Sequence, residues 1–152
     1  MKKMLFLLVA LFLLNGCSSS NKAVETKNEV KVVKTDSLVG KSWVLTNLNG
    51  DTIVVDTLKN KTPFFMLRTV DKITGNNGCN IFNGSYTMAQ DTIKVSALMT
   101  TMMACPNVTY EDNFLAFFRE NLVIISQKND ELALKNTVTN VEAKLKQIDV
   151  EN

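Results

Sequence analysis

From residue 38 onward the chain is a series of short β-forming runs separated by turn residues, and this pattern constrains its fold more than any other feature. Asn49-Gly50 lies between the runs 42–48 and 52–55, and this dipeptide is a strong signal for a β-hairpin. Further strands are predicted at residues 63–70, 73–75, 82–88, 92–97, 122–127, 132–135 and 141–146. Many short strands joined by tight turns predict an antiparallel sheet.

One segment of the chain has a helical period instead of the β-strand alternation. Its apolar side chains recur at helical spacing after Pro106, as Tyr110, Phe114, Leu115, Phe117 and Phe118. We predict one amphipathic helix over residues 108–121, with Asn107 or Thr109 as its N-cap and acidic residues in its first turn. Its aromatic stripe either forms the wall of a ligand site or, as we expect, packs against the sheet. The predicted fold class is therefore α+β, with the sheet curled around one helix.

Residues 1–16 have the pattern of a secretory signal peptide, in which two lysines precede the apolar run 4–14. This run spans roughly 16 Å, about half of the hydrocarbon core of a bilayer, so we do not expect it to act as a membrane span. Residues 14–17 (LNGC) resemble a bacterial lipobox, which predicts attachment of lipid, such as palmitate, to Cys17. The alternative is an ordinary signal peptide cleaved nearby, with Cys17 incidental.

The chain after the signal peptide divides into a tether and one domain. Residues 17–37 are polar, charged and poor in aromatic side chains, which is typical of a flexible tether. Residues 38–150 are enough for one domain with an adequate core. A lipidated Cys17 predicts anchoring to a membrane of the bacterial envelope. Ser18 after it favours the outer membrane over the inner one, and the sequence leaves open which face displays the domain.

The charge of the chain excludes one class of partner. It has 17 basic and 15 acidic residues, and the signal peptide contains two of the lysines and no acid. The mature chain therefore has 15 of each and a formal net charge of zero. Because no basic excess remains, binding to nucleic acid is not predicted.

Three cysteines and the absence of histidine limit the chemistry of the chain. If Cys17 carries the lipid, Cys79 and Cys105 remain as a pair in a compartment where thiols are commonly oxidised, which predicts a disulfide. Two separate thiols, or one reactive cysteine, are the alternatives. Without histidine, Cys-His and Ser-His-Asp catalysis are excluded, and without a CxxC motif a zinc site is not expected. We predict no catalytic residue, no metal and no cofactor.

Four blocks of the domain resemble one known family. They are Gly40-x-x-Trp43-x-Leu45-x-x-Leu48-x-Gly50, Gly75-x-x-Gly78-Cys79-Asn80-x-Phe82-x-Gly84-x-Tyr86, Thr101-x-Met103-Ala104-Cys105-Pro106 and Glu111-x-x-Phe114. In order and spacing they resemble the META domain, the family of the heat-shock lipoprotein HslJ. The family motif residues are Gly78, Cys79, Asn80, Gly84, Tyr86, Met103, Ala104 and Cys105. The resemblance implies a cracked β-barrel with a helix packed across it, an envelope location, a link to stress and antibiotic tolerance, and no established enzymatic activity.

The glycines and asparagines of the second block have two interpretations. Its glycines are predicted to adopt positive φ angles, at Gly75, Gly78 and Gly84. Its asparagines are predicted to bond their own backbone, at Asn76, Asn77 and Asn80. The alternative is that these asparagines bind a ligand or an ion, although the block has no carboxylate for a hard cation.

Two functions fit these features. The first is a non-enzymatic envelope lipoprotein that supports envelope integrity or stress tolerance through contacts with a protein or a membrane. The second is a carrier whose open barrel holds an apolar ligand such as a lipid tail. The lining of such a site is predicted at Phe64, Phe65, Met66, Met99, Met102 and Met103. An enzyme is a third class, which the sequence does not favour.

Overall fold

The strands of the domain follow the turn signals of the sequence. The computed structural model describes residues 37–56, 59–69, 71–106 and 108–148, so the predictions for the signal peptide, for Cys17 and for residues 17–36 of the tether lie outside it. Within the described residues there are nine strands and one helix. They are β1 (Ser42–Leu48), β2 (Asp51–Thr52), β3 (Phe64–Arg68), β4 (Lys72–Asn76), β5 (Ile81–Ala89), β6 (Thr92–Thr100), α1 (Glu111–Phe117), β7 (Leu122–Lys128), β8 (Glu131–Asn136) and β9 (Glu142–Ile148).

The strands form one antiparallel sheet that closes into a barrel. Around the barrel the order is β1, β3, β4, β5, β6, β7, β8 and β9, and β9 pairs again with β1. β2 pairs with the end of β1 that β3 leaves uncovered. The barrel-like antiparallel sheet is therefore confirmed, whereas its cracked form is not, because each barrel strand is paired with both neighbours. The shortest ladder of the barrel joins β6 to β7, at only two residue pairs.

Tight turns set the register of the hairpins. Asn49 and Gly50 have φ angles of 53° and 94°, so the predicted Asn-Gly turn joins β1 to β2. The turns between β5 and β6 and between β7 and β8 place Gln90 and Asn129 at a φ of 54°. Because side chains alternate along a strand, these turns decide which residues face the core.

Three bulges change the alternation of side chains that the sequence pattern assumes, and one of them lies in β7 between Ile124 and Ser126. In β1 the register with β9 shifts between Leu45 and Asn47, so that Leu45 and Leu48 are both buried. The pairing of β5 with β6 shifts between Asn83 and Ser85, opposite Ala97, whose φ is 51°. Each bulge adds one residue to a strand and bends it.

The helix is shorter than predicted. α1 covers Glu111–Phe117 rather than residues 108–121, and its N-cap is Tyr110, which makes no side-chain capping hydrogen bond. Thr109 is therefore not the cap, and Asn107 lies outside the described residues. The helix ends early because Phe118 is buried in the core and the chain must enter β7 at Leu122.

The aromatic face of α1 packs against the sheet, as predicted. Phe114, Phe117 and Phe118 are buried together with aromatic side chains of the strands. The ring centroid of Phe118 lies 5.1 Å from that of Phe114 and 5.2 Å from that of Phe82. A third neighbour, Phe65, lies 5.3 Å away. Aromatic pairs at such distances contribute about 0.5–1.5 kcal/mol each beyond the burial of their area.

Candidate functional site

The asparagine-rich loop after β4 is hydrogen-bonded to its own backbone, as predicted. The side-chain oxygen of Asn76 accepts a hydrogen bond from the N–H of Gly78, at 2.7 Å. The side-chain oxygen of Asn77 accepts one from the N–H of Cys79, at 3.1 Å, and one from that of Asn80, at 2.6 Å. These five residues are all buried. The oxygens of the first two asparagines are thus already occupied and are not presented to a ligand.

The prediction is wrong for Asn80, whose side chain bonds to the segment that follows β6 rather than to the backbone of its own loop. Its side-chain oxygen accepts hydrogen bonds from the N–H of Met103, at 2.7 Å, and from the hydroxyl of Thr101, at 2.9 Å. Its side-chain nitrogen donates to the carbonyl of Met103, at 3.1 Å. Because this amide is buried, each bond also avoids the cost of an unpaired polar group. Asn80 therefore acts as a clamp between two segments that lie more than twenty positions apart in the sequence.

A disulfide joins the same two segments. Cys79 is bonded to Cys105, and their Cα atoms lie 5.8 Å apart, within the range of about 4.4–6.8 Å that such bridges need. Cys79 is buried, and Cys105 is half-buried. The predicted disulfide is confirmed, and neither cysteine remains as a free thiol.

Gly78 is required by its backbone conformation and by a close contact. Its φ of 104° is one that side-chain-bearing residues rarely adopt. A Cβ atom at this position would lie 2.8 Å from the ring carbon Cε2 of Tyr110 and 2.9 Å from its hydroxyl oxygen. Close by, the side-chain nitrogen of Asn77 donates to the carbonyl of Glu111, at 3.4 Å. The loop therefore supports the start of α1.

Gly75 and Gly84 do not have the positive φ angles that were predicted for them. Both lie within strands, in β4 and β5, and only Gly78 of the three has a left-handed backbone. Their role is to leave space. A Cβ on Gly75 would overlap the Phe64 carbonyl and the Phe82 ring, and a Cβ on Gly84 would lie 3.0 Å from the Ser96 carbonyl oxygen.

The side chains predicted to line an apolar ligand site do not converge. Phe65 is buried in the core, while Phe64 and Met66 lie on the opposite face of β3 and are half-buried. The other predicted side chains are exposed on the surface, at Met99, Met102 and Met103. The aromatic cluster around Phe118 fills the space where the sheet meets the helix. A lipid tail could enter there only by displacing these rings.

The family model described as the META domain matches residues 36–147, which is most of the chain. The chain belongs to the META domain family.

Solved structures show the same fold for the META domain of this chain. It is similar to an NMR structure of a protein from Burkholderia xenovorans, at 20% identity and a TM-score of 0.61, over 76% of this chain and 86% of that one. A second NMR structure gives 22% identity and a TM-score of 0.64, over 79% of this chain and 99% of that one. A crystal structure of a DUF4847 family protein from Bacteroides vulgatus is similar at 11% identity and a TM-score of 0.51, over 76% of this chain and 98% of that one. No match was found among curated proteins.

The eight residues predicted to form the family motif occupy four different environments, one of which is the position of Gly84 within β5. Four of them form the loop and its disulfide, namely Gly78, Cys79, Asn80 and Cys105. Tyr86 lies apart, and its hydroxyl donates to the carbonyl of Arg68, at 3.1 Å. Burial, and secondly the charge of Asp71, raise the pKa of Tyr86, so this hydroxyl stays protonated and able to donate. The side chains of Met103 and Ala104 are exposed.

Asn136 is a structural residue that sequence reasoning did not identify. It is fully buried, and its side-chain nitrogen donates to the carbonyl of Phe117 at the end of α1, at 3.0 Å. Its side-chain oxygen accepts hydrogen bonds from the N–H groups of Val138 and Thr139, both at 2.9 Å. The Asx turn has a local signal, an asparagine followed by turn residues, but the helix contact spans 19 positions and has none.

An open cleft of about 500 Å³ lies beside the start of the helix in the META domain. It is bordered by the β1–β2 hairpin, by α1 and by the turn before β9. Its lining mixes apolar and polar side chains, including Leu48, Ile53, Phe117, Asp51, Thr109, Tyr110 and Asn113. Burial, and secondly the charge of Glu111, raise the pKa of Tyr110, so its phenol stays neutral. Because the described lining contains no basic side chain, the cleft does not favour an anionic ligand.

Residues 37–56, 59–69, 71–106 and 108–148 include no group of three or more His, Cys, Asp or Glu side chains that could hold a metal ion. Over the same residues, the structure contains no helix with the length and apolar character of a membrane span. One buried side-chain atom there lacks a hydrogen-bond partner, the Oε2 oxygen of Glu111 at the start of α1.

Proposed function

We propose that this chain is a non-enzymatic lipoprotein of the bacterial cell envelope. In this proposal a lipid on Cys17 anchors the META domain to a membrane, preferentially the outer one, through the polar residues 17–37. The domain then supports envelope integrity, or tolerance to stress and antibiotics, by contacting other envelope components. The apolar run and the LNGC sequence at the N-terminus support the anchoring, and the Cys79–Cys105 disulfide fits an oxidising compartment.

The internal bonding of the motif carries the proposal that the domain works by contact. The side-chain oxygens of Asn76, Asn77 and Asn80 accept hydrogen bonds from the protein itself, and the aromatic cluster fills the inside of the sheet. Binding partners must therefore meet the outer surface. Several large apolar side chains are exposed there, and we propose that they take part, at Ile81, Met99, Met102 and Met103.

The carrier of an apolar ligand remains the alternative proposal. The 500 Å³ cleft beside α1 is of a size that holds small ligands, which favours a binding role of some kind. Polar side chains such as Asp51, Thr109 and Asn113 share its lining, however, and a lipid tail would leave them unpaired. Contact through the outer surface therefore has more support.

Replacing Cys17 with serine in the full-length chain is expected to abolish lipid attachment. In growing bacteria the native chain should incorporate labelled palmitate and sediment with the membranes, whereas C17S should carry no label and appear in the soluble fraction. The reason is that stable anchoring requires the acyl chains, each contributing roughly 0.8 kcal/mol per buried methylene.

The double variant C79S/C105S is the matched control for this experiment. It also replaces cysteines with serine, but it should keep both the palmitate label and the membrane location. Palmitate on C17S, or sedimentation of C17S with the membranes, would rule out the proposed anchor.

A further inference from the structure

β6 has an edge that is only partly covered by another strand. It pairs with β5 along its length, from Thr92 to Thr100, but with β7 only at Thr92 and Ile93. Beyond Ile93 the chain that would lie beside β6 has turned into the end of α1. In the described part of the structure, residues 94–100 therefore have no strand on this side.

The hairpin geometry shows which backbone groups of β6 point to this edge. Ala89 and Thr92 flank a two-residue turn, so they form a hydrogen-bonded pair. Because bonding directions alternate along a strand, Lys94 and Ser96 bond to β5 and Val95 points away from it. The N–H and C=O of Val95 are thus aimed at the open side. An uncovered edge of this kind is a template for another strand.

A groove of about 320 Å³ runs between this edge and the end of α1. Leu98, Leu115 and Phe118 form its apolar wall, and Arg119 lies at its rim. The guanidinium of Arg119 is exposed, and in the described residues it forms no ion pair. Among the described residues that border the groove, none has an acidic side chain.

We propose that this groove binds an extended peptide segment of a partner protein, which adds a strand to β6 and places a carboxylate on Arg119. Backbone hydrogen bonds to the open edge would hold the segment, and an apolar side chain would contact the half-buried Leu98. The unpaired arginine selects a carboxylate because its planar fork matches carboxylate geometry. The inference rests on the proposed function by contact, and it names the surface and the chemistry of the partner.

Titration of the full mature protein in detergent with short peptides tests this proposal. The probes are TVTVEVT with an amidated C-terminus, TVTVTVT with a free C-terminal carboxylate, and TVTVKVT with an amidated C-terminus. We expect NMR shift changes at residues 94–100 and at Arg119 with a carboxylate-bearing peptide, and weaker binding of the lysine peptide. Binding of the first peptide would indicate an acidic side chain as the anchor, and binding of the second alone would indicate a chain terminus.

Arg119→Glu is the decisive variant, with Arg68→Glu as its matched control. Arg68 is also an exposed arginine on the described surface, but it lies at the end of β3, away from the groove. R119E should weaken the binding of the carboxylate-bearing peptides by about tenfold and strengthen the binding of TVTVKVT. R68E should change neither affinity, because charge pairs across an interface act locally.

Three outcomes would overturn the proposal. The first is NMR shift changes that lie away from β6, and the second is an equal loss of peptide affinity in R119E and R68E. The third is the absence of any NMR shift change at β6 with all three peptides. Each of them would leave the lipid anchor untouched, because anchoring is measured separately on C17S. Conversely, loss of the anchor would not alter binding by the purified protein, so the two failures can be told apart.

Discussion

Replacing Phe118 with alanine is expected to lower the free energy of unfolding by about 3–5 kcal/mol, the usual cost of removing a buried phenylalanine. Phe118 is 1% exposed, and its ring lies within 5.6 Å of those of four other phenylalanines, centroid to centroid. It also ends the helix, so the cavity would open where α1 is joined to the sheet. Urea unfolding, followed by circular dichroism, would give the loss from the shift of the midpoint at constant slope.

Two further variants show whether the position or the residue type causes this loss. Phe64→Ala removes the same ring from a half-buried site on the outer face of β3, and it should lower the free energy of unfolding clearly less than F118A does. Phe118→Leu keeps an apolar side chain in the core and should fold with a smaller loss, which covers the case in which the alanine variant does not fold. If F118A cost no more than F64A, the helix would not be packed into the sheet as described.

Breaking the disulfide should cause the second largest loss in the free energy of unfolding. In a C17S background, replacing both Cys79 and Cys105 with alanine is expected to cost about 3–4 kcal/mol, because the bridge closes a loop between positions 26 apart. For a domain of this size that corresponds to a fall in Tm on the order of 10 °C. Thermal unfolding under oxidising conditions would measure the change.

The same comparison under reducing conditions isolates the bridge from the packing. With excess reductant the two proteins should unfold at similar temperatures, because both then lack the bond. An equal difference in Tm under both conditions would mean that the packing of Cys79, which is 2% exposed, carries the effect and that the bond contributes little.

Local signals explain which parts of the fold could be predicted. The Asn49-Gly50 turn and the alternation within residues 92–97 depend on a few neighbouring residues, and both have the predicted form. The helix extends over half of its predicted range, because its end is set by the burial of Phe118 against distant strands. The bulge near Leu45 depends on the pairing with β9, about a hundred residues away, and has no local signal.

In the candidate site, too, features with a signal in the sequence could be predicted, and contacts between distant segments could not. The cysteine count favoured a bond between Cys79 and Cys105, since a lipid on Cys17, as predicted, would leave these two as a pair, and the structure contains this bond. The partner of Asn80, which is the backbone of Met103, and the contact between Gly78 and Tyr110 could not be read from the sequence. These contacts exist only once the sheet has placed the loop beside the start of the helix.

The most direct test of function by contact is the mass of the C17S chain, exported naturally, never reduced, and measured under native and then denaturing conditions. The account predicts the same mass in both spectra, two hydrogens below that of the dithiol, because the rings fill the inside of the sheet and Cys79 is bonded to Cys105. Extra mass present only in the native spectrum would contradict it, and would identify a carried ligand by its weight.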